Sequence, residues 1–81
     1  MKEFKIDSYL YLPLGTTESE ATKILESRFD SSSINEIETR ETEIAVDFDI
    51  IIESESNETA KEHFLNALQG FDVDNYAVKE A

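Results

Sequence analysis

From Thr42 to Glu55 the chain reads TEIAVDFDIIIESE, with Ile44, Val46, Phe48, Ile50 and Ile52 on even positions and Glu43, Asp47, Asp49, Glu53 and Glu55 on odd ones. Side chains alternate across a strand, so this pattern predicts a strand with one apolar face and one carboxylate face. Phe4, Ile6, Leu10 and Leu12 repeat the same parity around Lys5, Asp7, Tyr9 and Tyr11, and Pro13 and Gly15 close that first strand. Thr17-Glu18-Ser19-Glu20 has the form of a capping box, and Ala21, Ile24, Leu25 and Phe29 follow at helical spacing, which predicts a helix from Glu18 to Phe29. Asp30 to Ser33 reads as a loop. INEIETR then gives a weakly patterned strand whose apolar residues are Ile34 and Ile37, suited to a sheet edge, with a turn near Arg40 and Glu41. Ser54 to Asn57 offers side-chain caps for a second helix with the stripe Ala60, Phe64, Ala67, Leu68 and Phe71, which Gly70 is placed to end. A short last strand runs from Val73 to Val78.

The order βαββαβ has no repeat, linker or boundary within it. It predicts a single α+β domain over residues 1–81, a ferredoxin-like sandwich with a four-stranded antiparallel sheet and two helices on one face. The first and third strands are then central neighbours, and the uncovered face carries Lys5, Asp7, Tyr9 and Tyr11 beside Glu43, Asp47, Asp49, Ile51 and Glu53. Such a fold does not by itself give a function.

Charge changes the picture. Nineteen acidic against seven basic residues give a formal charge of −12, which argues against direct binding to nucleic acid or to an anionic membrane and makes basic surfaces the natural partners. The acids are concentrated, since Glu36 to Glu62 holds ten of them against Arg40 and Lys61 alone. Five Phe and three Tyr separate the chain from disordered acidic tails, which are poor in aromatics. No cysteine is present, so disulfides and thiolate chemistry are excluded, and no apolar run reaches membrane-spanning length. A soluble, cytoplasmic protein is the expectation.

Catalytic chemistry finds little support. His63 is the sole histidine and lies off the apolar stripe of its helix, as a solvated imidazole does. Asp47 and Asp49 would need a pocket that separates their proton affinities before acting as an acid–base pair, and an open sheet face supplies none. Asp47-Phe48-Asp49 and Asp72-Val73-Asp74-Asn75 group oxygen ligands but lack the glycine turn of a calcium loop. No metal, cofactor or enzymatic activity is expected. Tyr9 and Tyr11 have the placement of base-stacking residues, but the basic stripe that accompanies them in RNA-recognition domains is missing. They read either as ordinary sheet residues or as anchors of a protein interface.

The segment IIIESESNETAKEHFLNALQGFD, from Ile50 to Asp72, carries the strand end Ile52, the run Glu53 to Glu58, and Phe64-Leu65-Asn66-Ala67-Leu68 on the helix, followed by an acidic loop. In these features it resembles the small acidic anti-CRISPR proteins that inhibit Cas9. The resemblance implies a phage-encoded DNA mimic seated in the cleft where Cas9 reads its PAM with arginines. Acids of a strand hairpin and of the loop after the helix do that work in the family, and the matching candidates are Glu41 and Glu43 at the turn and Asp72 and Asp74 after Gly70. The first strand of this chain stands where the resembled proteins have a helix. Another CRISPR effector, a restriction enzyme or a repressor would present the same kind of basic surface.

The expected function is therefore a non-enzymatic inhibitor, monomeric or homodimeric, that blocks a basic nucleic-acid-binding protein. Tyr9, Tyr11, Glu41, Glu43, Asp47, Asp49, Glu53, Glu55, Asp72 and Asp74 are the candidate contacts. A competing expectation is an interaction or oligomerisation module that joins partners through a sheet edge, its acidity serving solubility.

Overall fold

Two twelve-residue strands, β1 (Lys2–Pro13) and β3 (Glu43–Ser54), form the centre of the molecule and pair antiparallel along their whole length, from Lys2 opposite Ser54 to Pro13 opposite Glu43. The computed structural model describes residues 1–81. Helix α1 (Glu18–Glu26) and strand β2 (Ser31–Thr39) connect β1 to β3, and helix α2 (Asn57–Ala67) and strand β4 (Asp72–Glu80) follow β3. One antiparallel four-stranded sheet results, in the order β2-β3-β1-β4.

The even positions of the two central strands do what their pattern predicts. Phe4, Ile6, Leu10 and Leu12 of β1 and Ile44, Val46, Phe48, Ile50 and Ile52 of β3 are buried in one cluster with Ala21 and Leu25 of α1 and with Ala60, Phe64 and Leu68 of the α2 region. Both helices therefore cover the same sheet face. Phe64 sits at its centre, with its ring 6.3 Å from Phe48, 6.3 Å from Phe29 and 5.7 Å from Tyr76. α1 begins with the capping box, in which the Thr17 hydroxyl accepts from Glu20 N–H and the Glu20 carboxylate accepts from Thr17 N–H. The Thr17 N–H, first, and the Thr17 hydroxyl, which donates to the same carboxylate oxygen at 3.1 Å, hold the Glu20 carboxyl below the usual carboxylate range. Ser56 caps α2 in the simpler way, accepting from Thr59 N–H.

Four expectations are corrected. α1 ends at Glu26 and not at Phe29, because Ser27 caps it and the chain turns to drop Phe29 into the core. Ser31 to Ser33 is not a loop but the start of β2, paired with Asp49 to Ile51 through a backbone ladder that asks little of the side chains. β3 stops at Ser54, which leaves Glu55 in the following loop. β4 is nine residues and not short, so Asp72 and Asp74 belong to a strand and not to a loop after the helix.

Each edge strand carries one bulge, and the two lie level with each other. Asn35 is the extra residue of β2 between the pairs Ile34–Phe48 and Glu36–Asp47. On β4, Asn75 and Tyr76 together oppose Ser8 of β1, with Asn75 at φ 53°. Asparagine tolerates that left-handed conformation, and the Asp74 carboxylate accepts from its N–H at 2.8 Å. Ser8 breaks the apolar alternation of β1 for the same reason. It is buried, and its hydroxyl donates at 2.9 Å to the Asp74 carbonyl beside the irregularity.

Candidate interaction face

On the side of the sheet away from the helices the odd residues of β1 and β3 stand in rows with their neighbours on the edge strands. One row reads Glu36, Asp47, Tyr9, Asp74 from β2 to β4, and the next reads Glu38, Ala45, Tyr11, Asp72. In the other direction come Ser33, Asp49, Asp7, Ala77 and then Ser31, Ile51, Lys5, Lys79. Glu3 opposite Glu53 and Pro13 opposite Glu43 close the two ends. Ten carboxylates (Glu3, Asp7, Glu36, Glu38, Glu43, Asp47, Asp49, Glu53, Asp72, Asp74) share this face with the cations Lys5 and Lys79, while Arg40 reaches it from the β2–β3 turn.

Asp47 and Asp49, equivalent in the sequence, are not equivalent in the fold. Asp49 accepts from the Asn35 amide at 3.2 Å and lies 4.0 Å from the Lys5 ammonium. Asp47 has no hydrogen-bonding or ionic side-chain partner and stands beside Tyr9 and Glu36. The bulge at Asn35 causes this difference, since it brings an amide within reach of one aspartate and shifts the register against the other. Asp7 faces Asp49 directly across the central pair, an arrangement of like charges that costs stability.

Tyr9 and Tyr11 are both half-buried on this face and differ in the same way. The Arg40 guanidinium lies 5.3 Å from the centre of the Tyr11 ring while its Nε donates to Glu38 at 3.0 Å. The Glu38 hydrogen bond, first, and its charge raise the proton affinity of Arg40 further. Ala45, flanked in its row by Tyr11 and Glu38, is 2% exposed although it points to the open side. Tyr9 carries no cation.

The remaining candidates are more scattered. Glu43 is half-buried at the start of β3, and Glu53 is exposed near its end. Glu41 is exposed in the β2–β3 turn, and Glu55 lies in the loop before α2. Sequence reasoning missed Glu36 and Glu38, which flank Asp47 and Ala45 from β2; two acids at i, i+2 on a strand were the available signal.

Elsewhere, a cleft of about 400 Å³ opens where β1 begins and β3 ends, lined among others by Arg28, Phe29, Asp30, Glu53 and His63. His63 is exposed, its ring 6.5 Å from that of Phe29, and no side chain hydrogen-bonds it into a fixed orientation. No group of three or more His, Asp or Glu residues is arranged to hold a metal ion, and no helix is long and apolar enough to cross a membrane.

No protein-family model matches the chain, and no curated protein matches it. Among solved structures it is similar to the de novo designed protein Foldit4, with 14% identity, a TM-score of 0.52, and coverage of 96% of this chain and 97% of that one. At that identity the likeness concerns the fold alone.

Proposed function

We propose that this chain is a non-enzymatic inhibitor that mimics nucleic acid and blocks the basic binding surface of a nucleic-acid-binding protein, an anti-CRISPR-type protein of phage acting in the host cytoplasm. The observation that carries the reading is the uncovered sheet face, on which Glu36, Asp47, Asp72 and Asp74 surround Tyr9 without neutralising cations. Same-face residues of a strand are about 6.6–6.8 Å apart and neighbouring strands about 4.8 Å apart, so the carboxylates form a rigid anionic lattice. Arginines of a nucleic-acid site engage carboxylates as they engage phosphates, by paired charge-assisted bonds. The tyrosines add the apolar contact that charges alone lack. The strand order read from the other edge, β4-β1-β3-β2, supports placing the chain among ferredoxin-like sandwiches.

Joining through a sheet edge is the weaker reading. Both edge strands carry a bulge, and bulges are a device that keeps edges from pairing.

The test is displacement of a fluorescent PAM-bearing duplex from a guide-loaded Cas9, and of cognate DNA from other basic effectors. Displacement is expected from at least one of them, weakening as salt rises. The triple variant Asp47→Asn, Asp72→Asn, Asp74→Asn should fold and lose displacement. Undiminished displacement by the folded variant contradicts the reading.

A further inference from the structure

We infer that Tyr9 is a receptor for an arginine side chain of the partner, held between the carboxylates of Asp47 and Asp74; this rests on the inhibitor reading above and names what one part of the face recognises. Both arginines of the chain lie over aromatic rings: Arg28 is 4.8 Å from the centre of Phe71, and Arg40 is 5.3 Å from the centre of Tyr11. Arg40 also binds the Glu38 carboxylate, which stands in the row of Tyr11 beyond Ala45, so a tyrosine face with an acid in its row already holds a guanidinium on this surface. One row along, a tyrosine again stands among acids, with Asp47 in the place of Ala45. Tyr9 is half-buried, Asp47 stands opposite it on β3, and Asp74 stands opposite it on β4. The two rows differ in their occupant: Tyr11 holds Arg40, and no cation of the chain lies over Tyr9.

The chemistry selects arginine over lysine. A guanidinium is planar, stacks on an aromatic face and donates to a carboxylate in the plane of its fork, whereas an ammonium is a compact and strongly hydrated point charge. Asp47 has no other side-chain partner, and Asp74 commits one oxygen, Oδ1, to the Asn75 N–H, which leaves its second oxygen for a ligand. Charge complementarity fixes the occupant as a basic segment, and the free ring fixes the residue within it.

The experiment compares two peptides of equal length and charge, one bearing arginines and the other lysines at the same positions, titrated calorimetrically into the wild-type chain at low ionic strength. A preference for the arginine peptide of about fivefold is expected, the scale of one stacked cation. Tyr9→Leu should reduce that preference to about onefold while the lysine peptide binds as before, and Tyr9→Phe, which keeps the ring, should retain it. Equal binding of the two peptides by the wild type, or a preference that persists in folded Y9L, overturns the role of Tyr9 while leaving mimicry by the carboxylates standing. Failure of the wild type to bind either peptide overturns both.

Discussion

The two faces of one sheet are built from alternate residues of the same strands and obey opposite rules. Beneath the helices, every even position of β3 from Ile44 to Ile52 is apolar and buried, and burial of that surface drives folding. On the open side, odd positions set Asp7 against Asp49 and line Asp47 with Glu36, arrangements that oppose folding. The comparison separates the residues that stabilise the fold from those that do not. On the outer face Lys5 and Lys79 stand at one end and Arg40 at the other, beside Tyr11 and Glu38, and the row Glu36, Asp47, Tyr9, Asp74 between them holds no cation.

The sharpest way to break the comparison is from the covered side. Phe64→Ala removes the ring that joins α2 to Phe48, Phe29 and Tyr76, and is expected to cost about 3–5 kcal/mol in urea denaturation, enough to unfold much of a domain this small. A loss below about 1 kcal/mol would mean that the helices do not depend on this face as described. The open side should answer with the opposite sign. Asp7→Asn relieves the repulsion across the central pair and is expected to stabilise by about 0.5 kcal/mol at low salt, the gain shrinking as salt is added. Destabilisation by that substitution would show the open face to be tuned for stability after all.

Much of this division was legible in the sequence, because a period of two over twelve residues is hard to mistake and both central strands have it. The edges were not legible. Ser31 to Ser33 look like a loop because an edge strand is held by its backbone ladder and its side chains need not be apolar. Nothing in the run Val73 to Val78 marks Asn75 as the residue that takes the positive φ of a bulge inside β4, nor shows that the strand pairs with β1 as far as Glu80. Ser8 looks like an error in the apolar pattern until the Asp74 carbonyl is seen to need its hydroxyl. The unequal positions of Asp47 and Asp49 lay beyond the sequence for the same reason, since the amide that separates them comes from the other bulge.

The most direct measurement of the proposed mimicry is a map of backbone amide chemical shifts in the labelled chain as a basic nucleic-acid-binding protein, guide-loaded Cas9 first, is added. Perturbations are expected along β1, β3 and β4 around Tyr9, Asp47 and Asp74, with α1 and α2 left unchanged. Perturbations centred on the helices would contradict the account.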